Sequence, residues 1–253
     1  MNWYGLYTLF SKEVWRFLKV AIQTLLTPIV TVLLYLLVFS SVLSSHVRVY
    51  ESVDYAAFLV PGLIMMTIIQ NAFANTSSSL FQAKTIGSIV FILLAPLSSW
   101  ECYLAYVGAA VVRGLLVGIG VWIAALWFVQ LPLHNILILI IFSILGSAIL
   151  GTLGIIGAII SEKWDHLSAF QNFVILPLSF LSGVFYSVNN LPGIWREISH
   201  YNPFFYMIDG FRYGFLGISD VPIITSLWIT IIFMIIVTII CLRILQTGYK
   251  IRG

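Results

Sequence analysis

The chain has 253 residues, 61% hydrophobic and 8% charged, with a formal net charge of +3. A soluble domain carries about 25% charged residues, so this composition excludes one and calls for a bilayer as solvent. At about 20 apolar residues per span the length accommodates six spans in an all-α fold, and the small positive charge fits basic residues at membrane edges rather than a nucleic-acid partner.

Residues 1–19 predict an interfacial amphipathic helix. Trp3, Leu6, Tyr7, Phe10, Val14 and Phe17 share one face, and Lys12, Arg16 and Lys19 the other. A cleavable signal peptide does not fit, because the charges follow the first apolar residues and no small-residue cleavage site comes after them. Span one is expected at 20–43, with Pro28 as a kink. A polar connection over 44–55 holds His46, Arg48, Glu51 and Asp54. Span two, 56–82, carries Pro61-Gly62 early and Asn71, Asn75, Ser78 and Gln82 later, spaced to lie on one helical face.

The connection 83–101 contains Lys84, an apolar run over 86–94 and Ala95-Pro-Leu-Ser-Ser-Trp100. A run that short cannot cross a bilayer, but it can lie on a membrane face or dock into another protein's groove. Span three, 102–129, places Arg113 far from either end. Span four is 136–160, followed by a charged loop at 161–168. Span five is expected at 169–186 with Pro177 inside it, and span six at 223–245 with a basic tail. The whole of 1–253 reads as a single transmembrane domain.

Residues 187–220 are too hydrophobic for an exterior loop and too broken for a span. A half-inserted helical hairpin suits both facts, since backbone at membrane depth must be helical or buried in protein. Pro192 and Pro203 break helices there and Asn189-Asn190 favours a turn. Trp195, Tyr201, Phe204, Phe205 and Tyr206 are placed at the outer interface. Asp209 and Arg212, three apart, are spaced to pair on one helical face, and Glu197 is a further acid of the hairpin.

Basic residues set the orientation. With the N-terminus inside, Lys12, Arg16, Lys19, Lys84, Lys163, Arg243, Lys250 and Arg252 fall on the cytoplasmic side, eight against three (Arg48, Arg196, Arg212) outside. Both termini are then cytoplasmic.

The sequence contains no Gly-Lys pair, hence no phosphate-cradling P-loop, and the chain is not itself an ATPase. Cys102 and Cys241 lack companions at metal-ligand spacing, and His46, His134, His166 and His200 are scattered. No catalytic, cofactor or metal residue is predicted. Arg113 must face protein or water, since a lone mid-membrane charge costs at least about 2.5 kcal/mol. It either lines a path for an anionic group or staples spans together. The Asn71, Asn75 and Ser78 stripe has the same two readings, packing or lumen. Gly114, Gly118, Gly151, Gly154 and Gly157 permit close helix approach.

Several motifs together carry a family resemblance. They are Gln23-Thr-Leu-Leu-Thr-Pro28, Phe58-Leu-Val-Pro-Gly-Leu-Ile-Met-Met66, Asn71-Ala-Phe-Ala-Asn75, Leu94-Ala-Pro-Leu97 and the hairpin segment Asn202-Pro-Phe-Phe-Tyr-Met-Ile-Asp-Gly-Phe-Arg-Tyr213. In this order, the chain resembles the ABC-2 type permeases, closest to the small bacterial multidrug or lipid exporters. The resemblance implies a homodimeric permease in the bacterial inner membrane, working with two copies of a separate ATPase that binds the ATP and magnesium. It implies a coupling helix over 86–98, with Ile86, Ile89, Val90, Leu93, Leu94 and Pro96 as contacts. Glu162, Lys163, Trp164 and Asp165 would form a second contact or, alternatively, a solvated turn. Trp195, Glu197, Pro203, Asp209 and Arg212 would belong to an outer gate or, alternatively, a structural lid. Spans one, two and five would border a path for an amphipathic, lipid-like or drug-like substrate. The rivals are a polysaccharide or glycolipid export permease of the same superfamily, an ATP-independent carrier, and an assembly factor. The ATP-independent carrier is disfavoured by the lack of visible internal repeats.

Overall fold

The computed structural model describes residues 2–43 and 53–250; the predicted loop residues His46, Arg48 and Glu51 and the tail residue Arg252 lie outside the described residues. Helix α1 (Trp3–Leu18) is capped by Asn2, whose side chain accepts the Gly5 N–H at 3.0 Å. Its buried stripe is Leu9, Glu13 and Phe17, while Trp3 and Tyr7 are exposed. The predicted apolar face is therefore rotated, and Arg16 points inward instead of away. The cause is docking along a later span. Glu13 leaves water because Lys12 and Arg16 both bind it, at 2.9 and 3.1 Å, and Phe10 sits over Gly108, where a Cβ would approach it to 3.3 Å.

A π-helical turn at Ile22–Leu26 precedes α2 (Thr27–Leu43), and a second at Gln171–Ile175 separates α7 (Trp164–Phe170) from α8 (Leu176–Phe180). Pro28 and Pro177 stand two residues beyond these turns. A proline ring collides with the carbonyl four residues earlier, here Thr24 and Phe173, and each lies inside its π turn. Widening that turn moves the carbonyl aside without ending the helix.

Among the described residues, five helices are long and apolar enough to cross a membrane: Ile22–Phe39, Tyr55–Ile86, Ser99–Ala125, Ile136–Ile160 and Ile223–Thr247. The expected fifth span is the exception. Its helical backbone covers 164–180, about 26 Å, and ends before Gly183, whose φ of +74° turns the chain. Pro177 and Gly183 thus shorten a segment expected to run to residue 186.

The centre is α3 (Tyr55–Ile86), largely buried against α5 (Ser99–Ala125) and α6 (Ile136–Ile160). The α3–α6 contact is close because Gly154 lacks a side chain. A Cβ there would lie 2.1 Å from Thr76 Oγ1 and 2.6 Å from the Phe73 carbonyl oxygen. Thr76 also donates to the Gly151 carbonyl at 2.7 Å. The Tyr103 hydroxyl shares hydrogen bonds with Thr152 and Thr238, at 3.1 and 2.8 Å, tying α5 and α6 to α11 (Ile223–Thr247).

The expected hairpin region contains a 3₁₀ turn at Val188–Asn190, α9 (Gly193–Tyr201) and α10 (Pro203–Leu216). Asn202 joins the two helices. It accepts the Phe204 N–H at 3.0 Å and donates to the Leu178 carbonyl at 2.7 Å. At 14 residues, about 21 Å, α10 is too short to span, yet it is buried against α6, α3 and α11.

Gly154→Ala should cost about 1–3 kcal/mol, as overpacking against backbone does. Gly193→Ala, which meets nothing within 4 Å, should be near neutral. Thermal unfolding in detergent compares the two.

Candidate coupling face and intramembrane cleft

Gly87, at φ +81°, ends α3, and α4 (Ile89–Leu94) follows at once. Phe91 and Leu94 are 77% and 76% exposed, and Ile86, Val90, Leu93 and Pro96 are exposed with them. Ile89 is only 6% exposed. It anchors α4 from below instead of joining the contact face, because one side of a single-turn helix must face its own protein. The α4–α5 turn is rigid. Ser98 and Glu101 form a reciprocal capping box, and the Glu101 carboxylate also accepts the Asn2 N–H. Asn2 donates in turn to the Pro96 carbonyl at 3.4 Å, so the start of α1 and the exit of α4 are fastened together.

The charged loop lies on the same end of the bundle. Lys84 Nζ donates to the Ile159 and Ser161 carbonyls at 2.8 and 3.0 Å, and the Trp164 ring lies 4.6 Å from that of Phe81. Glu162, Lys163, Trp164 and Asp165 are exposed. Lys250 pairs with Glu162 at 2.7 Å, which lowers the Glu162 carboxyl below its ordinary range and raises the Lys250 ammonium. Lys84, in the last turn of α3 just before α4, thus ties that end of α3 to the start of the charged loop. The sequence reading used Lys84 only as a topological charge.

The polar stripe of α3 divides by turn. Arg113 Nη2 donates to Asn71 Oδ1 at 3.2 Å. Arg16 Nη2 donates to the Asn75 carbonyl and Oδ1, at 2.7 and 2.9 Å. Ser78 turns back to its own helix, bonding the Ala74 carbonyl at 2.6 Å, and Gln82 is exposed. Beside this stripe a cleft of about 240 Å³ opens between α2, α3 and α8. Thr27, Thr31, Thr67, Gln70 and Asn71 line one end; Val32, Tyr35, Leu63 and Phe180 line the other. An aromatic cluster closes the apolar end. Phe185 lies 6.0 Å from Tyr35, 5.5 Å from Phe39 and 5.5 Å from Phe180, ring to ring. The sequence did not single out these rings, since their convergence depends on the turn at Gly183.

Asp209 and Arg212, three apart on α10, are both held by backbone groups outside their own helix. Asp209 accepts the Asp220 N–H at 2.8 Å. Arg212, fully buried, donates to the Gly183 carbonyl at 2.6 Å and lies 3.9 Å over the Phe58 ring. Backbone groups of two turns, left without helical partners, are satisfied by these side chains. Asp220 extends the tie by accepting from Ser187 Oγ at 2.6 Å and the Val188 N–H at 2.8 Å. Trp195 and Glu197 are exposed on α9, and Pro203 opens α10 half-buried.

Long apolar helices around a polar-seamed cleft, with an apolar face exposed at one end, define a polytopic membrane transport protein. The chain belongs to the ABC-2 type transporter family, whose sequence profile matches residues 4–216. Members are membrane permease subunits of ABC transporters. The chain is 38% identical over 253 residues to the inner membrane transport permease YadH of Escherichia coli K12, covering all of this chain and 99% of that protein. It is 27% identical over 213 residues to nodulation protein J of Rhizobium meliloti, covering 79% and 76%. The probable multidrug ABC transporter permease YbhR of E. coli K12 is 25% identical over 180 residues, covering 70% and 49%.

The two sides of α4 make a direct check. Ile89→Asp buries a charge and should destabilise by more than about 2 kcal/mol. Phe91→Asp should stay within about 0.5 kcal/mol of wild type. Chemical denaturation in detergent reads both.

Proposed function

We propose that the chain is the membrane subunit of an ATP-driven exporter in the bacterial inner membrane, acting as a homodimer with two copies of a separate ATPase. The observation that carries this reading is the exposed apolar face of α4, joined through Lys84 to the 161–165 loop. A soluble partner can push on both segments at once, and α3 leads directly from them to the cleft. The excess of Lys and Arg at this end supports placing it, with both termini, in the cytoplasm. The name of the E. coli relative supports the inner membrane.

The 164–180 segment acts as a short sixth crossing, completed by the aromatic turn, and α9–α10 re-enters from the outer side. The open side of the α2–α3–α8 cleft faces a second copy. A cleft of about 240 Å³ suits an alkyl chain or a compact drug better than a glycan chain, which favours the amphipathic substrate. The ATPase brings the ATP and magnesium, while this chain binds substrate and converts movement of α4 into opening of the cleft. The aromatic cluster and the Arg212–Gly183 tie form the outer gate.

The test is affinity purification of the tagged chain from mildly solubilised membranes, read by mass spectrometry and ATPase assay. A stoichiometric P-loop ATPase is expected. Phe91→Asp should weaken its capture about thirtyfold, the effect of losing a central aromatic anchor worth about 2 kcal/mol. A clean chain with no ATPase, in detergent and in nanodiscs, would replace this reading with an ATP-independent carrier.

A further inference from the structure

The cleft has a polarity gradient that follows from the antiparallel run of α2 and α3. Thr27 and Thr31 stand opposite Asn71 and Thr67, whereas Tyr35 stands by Leu63, and α8 adds the apolar Leu176 and Phe180. Most polar groups at the first end are already occupied. Thr31 and Thr67 bond the carbonyls four residues back, at 2.9 and 2.6 Å, and Asn71 donates to the Thr67 carbonyl at 3.1 Å. Gln70 differs: it lines the cleft, and its buried Nε2 has no hydrogen-bond partner among the described residues.

Behind that wall stand two guanidiniums. Arg113 and Arg16 bind residues four apart on α3, about 6 Å along the helix axis. The Glu13 carboxylate is already shared by Lys12 and Arg16, and Arg113 makes no ion pair among the described residues. Arg113 Nε and Asn75 Nδ2, like Gln70 Nε2, are buried nitrogen donors that lack an acceptor. Buried polar groups are normally satisfied, so unpaired donors beside an uncompensated cation mark a place prepared for a negative acceptor. Low surrounding dielectric strengthens that preference.

We infer that this cleft binds an anionic amphiphile, its phosphate or similar anionic group meeting Gln70 and Asn71 in front of Arg113 and its alkyl portion running toward Tyr35 and Phe180. This deepens the permease reading and rests on it for the statement that the bound molecule is cargo. Binding itself requires no ATPase, so the two can fail separately.

The experiment uses the full chain in nanodiscs of zwitterionic lipid, with retention of added lipid measured by native mass spectrometry. Oleoyl-lysophosphatidic acid should be retained about tenfold better than oleoyl-lysophosphatidylcholine, the worth of one charge-assisted hydrogen bond. Arg113→Gln and Gln70→Leu should each bring that ratio close to one, while Arg113→Lys keeps most of it. Displacement of the anionic lipid by millimolar inorganic phosphate would assign the site to the phosphate group itself. Failure of phosphate to compete would assign it to the whole amphiphile. Equal retention of the two lipids by wild type would overturn the inference. So would an unchanged ratio in Arg113→Gln with its thermal unfolding unchanged. If Arg113→Gln does not fold, Gln70→Leu decides alone, because the Gln70 Nε2 has no hydrogen-bond partner among the described residues.

Discussion

A helix carrying Asn71, Asn75 and Thr76 through its middle is stable in a bilayer only if other helices meet those groups. The arrangement of this protein around α3 follows from that constraint. Arg113 reaches Asn71 from α5, Arg16 reaches Asn75 from α1, and Thr76 bonds the Gly151 carbonyl of α6 across the opening left by Gly154. Each polar residue recruits a different neighbour. The helix that could least tolerate lipid thereby becomes the most buried one, and α2 and α11, which carry little polar obligation, stay at the periphery with apolar faces outward.

The same helix sets the division of labour. At one end Gly87 turns it into α4, and Lys84 fixes that turn to the loop after α6. Near its other end Tyr55 bonds the Phe185 carbonyl at 3.0 Å, within the aromatic cluster that closes the cleft. Between α4 and the cleft wall the turns of α3 are packed against α5 and α6, the route that the proposed coupling would use. The π turns beside Pro28 and Pro177 lead directly into the two helices on the opposite walls, α2 and α8. Those walls are the ones with weakened backbone ladders, which suits them to give way while α3 stays straight.

Much of this was legible in the sequence. Five long spans, the apolar run after Lys84, the short broken helices over 187–220 and the glycines at helix contacts all follow from period, length and local chemistry. The parts that were not legible depend on long-range partners. The exposed face of α1 was misassigned because Glu13 reads as a surface residue until two cations neutralise it. Asp209 and Arg212 satisfy the spacing rule for a helical pair, but their bonds to the backbone near Gly183 and Asp220 depend on turns distant in sequence. Ile89 and Phe91 are indistinguishable by hydrophobicity; only the position of α4 on the bundle separates an anchor from a contact. The fifth span is expected to reach residue 186 with Pro177 inside it, whereas its helix stops at Phe180, just before the turn at Gly183.

We propose that α3 transmits movement of the α4 face to the cleft. A single cysteine at Thr31, with Cys102 and Cys241 replaced by alanine, reports it through labelling by a membrane-impermeant maleimide in the ATPase-bound complex. Reactivity at position 31 should change when ATP is added, and the change should disappear when Phe91 is replaced by Asp. Equal reactivity with and without ATP, in a complex that hydrolyses it, would contradict the account.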